Sequence, residues 1–305
     1  MNALAGFIMR GRSQAILAVS LLTILSWFLS LGSLLAAAAL ALPALRRGGR
    51  EGAMVLVGAL PIVALSGQLA MGDGLQAGGY SLALWLPVLV MAVVLRETAH
   101  LSTAVLSALG MGLILVLGFY SLVDDPTTFW GDALHKAIQP MLQRRGGSDV
   151  DAELMNQTMQ MFSTYATGAI AAGFFMTVLM SLLLARWWQA SLYNPGGFRA
   201  EYTGLRLPRM LSLAFLLIAL VAGMTGSAAA IFSVNLLMPV FMAFVIVGFS
   251  VIHALCLRLP SGKFWLAGVY VGLMFVAPMV MLLIAMIGLT DAGLNWRTRF
   301  VHRVS

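Results

Sequence analysis

Apolar stretches of roughly 20 residues recur along the whole chain, and this repetition limits its fold more than any other feature. A helix rising 1.5 Å per residue needs about 20 residues to cross about 30 Å of hydrocarbon. In hydrocarbon every backbone N–H and C=O must find its partner within the protein, which leaves helices and closed barrels as spanning structures. Barrel strands would read as short alternating segments rather than long apolar runs. The expected fold is therefore all-α: a polytopic transmembrane helical bundle forming one integral membrane domain over residues 1–305. With 61% hydrophobic and 10% charged residues, the composition lies far from that of a soluble domain.

The run Gln14–Leu45, between Arg10 and Arg12 on one side and Arg46 and Arg47 on the other, spans about 48 Å as a single helix. That is too long for one crossing, so a break at Ser30-Leu31-Gly32-Ser33 is expected to make it a hairpin. Ala37-Ala38-Ala39 mimics a signal-peptide cleavage site, but many spans follow and the run is read as retained. Gly52–Leu69, Tyr80–Leu95, Leu101–Leu122, a span ending at Arg186, Leu211–Ala228, Ile231–Leu257 and Phe264–Leu289 bring the total to about nine. This gives N-terminal spans over 14–122, C-terminal spans over 162–289 and a basic tail over 290–305.

Between the two sets lies 123–161, the longest polar stretch, expected to be an extracytoplasmic insert. Phe129, Trp130, Leu134, Ile138, Met141 and Leu142 recur at helical spacing there, the pattern of an amphipathic helix lying on a membrane surface. A second helix is expected after Gly146-Gly147-Ser148, capped by Ser148 or Asp149, with Met155, Met159 and Met161 as packing filler.

The net charge of +7 would suggest nucleic acid in a soluble protein, but here the basic residues sit in short connections between apolar spans. Topology explains them, and membrane lipids rather than nucleic acid are the expected partners. With the first hairpin's basic ends in the cytoplasm, all but six of the 18 basic residues fall inside. The six are Lys136, Arg144, Arg145, Arg297, Arg299 and Arg303. The last three are a misfit. Either the tail lies outside against the positive-inside rule, the expectation here, or one apolar block is miscounted.

Arg186–Arg209 is the only long connection that holds four arginines. Arg186, Arg199 and Arg206 alternate with Trp187, Trp188, Tyr193 and Phe198 around the turn-forming run that starts at Asn194. Indole and phenol rings favour the headgroup layer. The segment is expected to be a cytoplasmic interfacial loop, serving either as an orientation anchor or as a docking surface for a protein partner or lipid headgroup.

The sequence holds no phosphate-cradling loop, no HExxH and no nucleophile elbow, so no enzyme is expected. His100, His135, His253 and His302 are scattered without ligand spacing, and neither metal nor cofactor is expected. The lone Cys256 reads as a buried thiol. Polar groups inside spans are costly and are the better clues. Pro239 frees the carbonyl of Asn235, which either faces a ligand together with the Asn235 amide or is satisfied at a kink by neighbouring helices. His253 is read as an interhelical hydrogen-bonding group or a second ligand-binding candidate. Pro61, Pro87 and Pro278 are further candidate breaks.

At Arg186-Trp187-Trp188-Gln189, Tyr193-Asn194-Pro195-Gly196-Gly197-Phe198-Arg199 and Leu205-Arg206-Leu207-Pro208 the chain resembles the YybS-like family of bacterial inner-membrane proteins, a domain of unknown function. The ending Gly288-Leu289-Thr290-Asp291, followed by Asn295-Trp296-Arg297, is similar as well. The resemblance implies a multi-pass protein of the bacterial inner membrane. More distantly, that family resembles the substrate-binding S components of energy-coupling-factor vitamin transporters, which hold a ligand near the outer face and dock on a partner through small residues. Ala37 and Ala41 are the matching small pair here. The implied function is transporter-type binding of a small or lipid-like ligand between helices. The alternative is a non-catalytic scaffold in envelope biogenesis that recruits partners through residues 186–209.

Overall fold

A computed structural model describes residues 2–144, 152–223 and 228–299, and every described element is a helix. Among the described residues six helices are long and apolar enough to cross a membrane, fewer than the nine or so spans expected, with Arg12–Ser26 and Arg209–Ala222 apolar but shorter. The chain divides into two compact units, Met1–Ala108 with Met176–Arg206, and Leu109–Phe175 with Leu207–Ser305.

Unit 1 holds α1 (Asn2–Ile8), α2 (Arg12–Ser26), α3 (Leu31–Arg47), α4 (Gly49–Met71), α5 (Gly74–Thr98), the start of α6 (Leu101–Leu122), the end of α8 (Ala152–Tyr193) and α9 (Gly197–Thr203). Its centre is α3. Every residue from Ala36 to Leu45 is buried, against α1, α2, α4 and α5. Alanine explains this placement, because a methyl side chain lets several helices approach one axis at once. Ala37 and Ala41 are both fully buried. The small pair that the S-component resemblance would offer to an outside partner is thus already used within unit 1.

The first apolar run does break as expected. Gly32 makes the return possible, since a Cβ there would lie 2.7 Å from the Ser26 nitrogen. The next hairpin is clasped by Gln68, which accepts from the Gly74 N–H and donates to the Gly72 carbonyl; Gly72 takes the left-handed φ of +77°. Asp73 then caps α5 by accepting from the Gln76 N–H at 2.8 Å.

Unit 2 holds the rest of α6, α7 (Pro126–Arg144), the first part of α8, α10 (Arg209–Ala222), α11 (Ala228–Cys256), α12 (Gly262–Leu294) and α13 (Trp296–Arg299). Helix α7 starts at Pro126 behind an Asp125 cap that accepts from the Thr127 and Thr128 N–H groups and the Thr128 hydroxyl. These bonds, the hydroxyl one first, hold the Asp125 carboxyl below the usual carboxylate range. Of the residues at helical spacing, Trp130, Leu134 and Ile138 are half-buried and Phe129 is exposed, while the side chains of Met141 and Leu142 lie outside the described residues. Trp130 donates to Thr167 at 2.9 Å and stacks on Phe119, which ties α7 to α8 and α6. The Ser148 or Asp149 cap lies outside the described residues. Of the three methionines, Met159 is buried and Met161 is exposed.

Helix α12 is not straight but folds as two arms joined at a kink. Val276, two residues before Pro278, has non-helical angles (φ −136°, ψ 47°), and Gly272 faces the Val280 side chain although eight residues of straight helix would separate them by about 12 Å. The first arm runs antiparallel to α11, with Tyr270 against Phe249 and His253. The second runs parallel to it, since Arg258, just past α11, donates to the Arg297 carbonyl, just past α12, and Ser212 and Arg209 at the start of α10 reach the carbonyls of Leu289 and Ala292. This arm and α11 touch where Gly248 meets the Ile284 carbonyl and Gly288 the Phe244 carbonyl. Consequently Arg297 and Arg299 return to the end of unit 2 that carries Arg258, Lys263 and Arg209.

Candidate functional site

The basic end of unit 1 is built from arginines that close helix ends. Arg96 donates to the carbonyls of Leu45 and Arg46, the last turn of α3, at 2.9 and 2.8 Å. Arg47 donates to the Met9 carbonyl, and Arg12 makes a two-pronged pair with Glu51. The expected loop over 186–209 is largely helical. Helix α8 runs on through Trp187 and Trp188 to Tyr193, Asn194 starts a turn, α9 carries Phe198 and Arg199, and an extended stretch through Arg206 leads to α10. Arg186 forks onto Glu201 and also donates to Gln189, fastening α9 to α8. Gln189 in turn donates to the Leu45 carbonyl, and Arg46 lies 4.3 Å over the Tyr193 ring.

These residues surround a polar basin of about 420 Å³ lined by Arg46, Arg96, Arg186, Glu97 and Glu201. Trp188 is fully buried rather than placed in a headgroup layer, while Trp187 and Phe198 are half-buried. Tyr193, Asn194, Arg199 and Arg206 are exposed, and they form the surface that this segment presents.

In unit 2, Asn235 is a joint. Its side-chain oxygen accepts from the Gly168 N–H at 2.6 Å, and its NH₂ reaches the Thr164 carbonyl, the Tyr120 hydroxyl and the Ile231 carbonyl at 3.0–3.1 Å. Gly168 N–H and Thr164 C=O are natural partners within a helix, and the Asn235 amide engages both, stitching α11 to α8. The donor on Gly168 fixes which end of the amide is oxygen. The carbonyl freed by Pro239 lies on Gly168, where a Cβ would come within 2.5 Å. The Asn235 amide and its freed carbonyl thus meet groups of neighbouring helices, and α11 runs through Pro239 without a non-helical residue. His253 is likewise engaged. Its Nδ1 donates to the Phe249 carbonyl at 2.8 Å, which leaves Nε2 to accept from the Tyr270 hydroxyl at 3.3 Å.

Sequence reasoning missed a second cavity, at the end of unit 1 opposite its arginines. The tips of the α2–α3 and α4–α5 hairpins enclose about 280 Å³. Trp27, Tyr80 and Trp85 supply aromatic wall, Thr23, Ser26, Ser33 and Ser81 supply hydroxyls, and Asp73 is the one formally charged lining residue. Tryptophan and tyrosine near span ends, with an acidic cap in a turn free of basic residues, are signals present in the sequence. They read equally well as an aromatic belt.

Among the described residues no three His, Cys, Asp or Glu side chains gather to hold a metal ion, and Cys256 is buried. Comparison of the chain with protein-family models, curated proteins and solved structures returns no match.

Proposed function

We propose that this chain is a membrane-embedded ligand-binding protein of transporter type, as the resemblance to S components implies, and that it holds a small molecule at the outer end of unit 1. The observation that carries this reading is the cavity between the two hairpin tips, with its aromatic walls and single carboxylate. The basic residues of unit 1 lie at the other end of its helices, which orients the cavity away from the cytoplasm under the positive-inside rule. Any use of ATP falls to a separate partner, since the sequence has no nucleotide-binding motif.

The test is mild-detergent purification of the tagged chain from its native membranes, with mass spectrometry of what accompanies it. A stoichiometric small molecule is expected with the wild type and not with Ser81→Leu, which fills the cavity from a wall position. Equal recovery from both proteins sinks the reading.

A scaffold role remains the second reading, favoured by the Arg186–Glu201 pair. That pair fixes α9 onto α8, so exposed Arg199 is displayed on ordered backbone instead of a loose loop. Under this reading Arg199→Gln abolishes recovery of a protein partner while abundance and topology are unchanged.

A further inference from the structure

The outer cavity of unit 1 has a hydrogen-bonding character that narrows what fits it. Each lining serine and threonine spends its proton on a nearby carbonyl: Thr23 donates to the Val19 carbonyl, Ser26 to Thr23, Ser33 to Ser30 and Ser81 to Ala77, at 2.6–2.8 Å. Their oxygens are left with lone pairs only. Asp73 accepts the α5 capping bond through Oδ1, which leaves Oδ2 to take a second donor. Gln76 directs its NH₂ toward the Tyr80 hydroxyl at 3.5 Å. Around Asp73 the wall is rich in acceptors and suits a ligand that donates; its own donors are the Tyr80 hydroxyl and the indole N–H groups of Trp27 and Trp85.

Charge points the same way. Asp73 is the only formal charge on the wall, and α2 and α4 end beside it at Ser26 and Met71, where helix carbonyls add negative partial charge. The starts of α3 and α5 are at this end too, but Asp73 itself caps α5. Trp27, Tyr80 and Trp85 line it, and indole and phenol rings attract cations as well as apolar bodies. A volume of about 280 Å³ limits the occupant to one small molecule.

We infer that this cavity binds a small organic cation, an ammonium group carried on a compact aromatic or apolar body. The ammonium meets Asp73 and the hydroxyl oxygens, and the body lies among the rings. The inference rests on the proposal above that the cavity is a ligand site.

The experiment uses the full chain in phosphatidylcholine nanodiscs and three probes of matched size: 2-phenylethylammonium, 2-phenylethanol and phenylacetate. Calorimetric titration of the wild type is expected to show the ammonium binding at least tenfold tighter than the alcohol, with no binding of the carboxylate. Asp73→Asn keeps a good helix cap, so the fold is retained. It should bring the ammonium down to the level of the alcohol and leave the alcohol unchanged. If the alcohol or carboxylate binds the wild type as tightly as the ammonium, the cation assignment falls while the cavity stands as a ligand site. When binding of every probe is absent, or survives Ser81→Leu, the cavity is no ligand site and both readings fall.

Discussion

Asn235 shows how much one residue can hold together. Its amide engages groups of α6, α8 and its own helix, with both NH₂ protons and the oxygen in bonds to protein. Removing it takes away the side-chain bonds that join α11 to α8 and α6, while the Gly168 N–H keeps its helical partner at Thr164. Hydrogen bonds of this kind contribute about 0.5–1.5 kcal/mol each. Asn235→Ala should therefore lower the thermal midpoint in detergent by several degrees, while probe binding at the cavity in unit 1 keeps its wild-type value at low temperature. An unchanged midpoint would remove the joint from the account. The sequence marked Asn235 as unusual because a polar side chain in an apolar run is costly. It did not show the outcome, because Gly168 and Tyr120 are distant in the chain and nothing local reveals which helix a side chain will meet. Trp188 was misread for a related reason. An indole beside arginines has the composition of an interface residue, yet here the backbone stays helical through it and turns the ring inward.

At the scale of elements, the apolar blocks were legible because length and hydropathy suffice to define them, and so was the first hairpin, because 48 Å of helix cannot be one crossing. The return within α12 was not legible. Pro61, Pro87, Pro239 and Pro278 all stand inside helices, and only at Pro278 does the backbone leave helical geometry nearby. What stabilises the return is contact with α11, where glycines let two backbones touch. A Cβ on Gly288 would sit 2.1 Å from the Phe244 carbonyl, whereas one on Gly110 would meet nothing within 4 Å. Gly288→Val is accordingly expected to destabilise by about 3 kcal/mol or more, since backbone must move to admit it. Gly110→Ala should be neutral or gain up to about 1 kcal/mol from helix propensity. Comparing the two unfolding curves checks the packing directly, and equal effects would contradict it.

For the whole molecule, the distribution of charge and the path of the chain make one argument. Unit 1 gathers Arg12, Arg46, Arg47 and Arg96 at one end of its helices and leaves Asp73 at the other. Unit 2, described by itself, brings Arg209, Arg258, Arg297 and Arg299 to one end because α12 doubles back. A straight α12 would have carried the final arginines across the membrane against the positive-inside rule, at a cost that the hairpin avoids. Single cysteines in a Cys256→Ala background test this in intact cells with a membrane-impermeant maleimide. Leu75→Cys, beside the acidic turn, should be labelled from outside. Ser261→Cys and Thr298→Cys, at the two feet of the hairpin, should both stay protected until the membrane is opened, as should Arg199→Cys. Labelling of Thr298→Cys from outside with Ser261→Cys protected would mean that α12 crosses in a single pass, and would return the basic tail to the side on which sequence reasoning first set it.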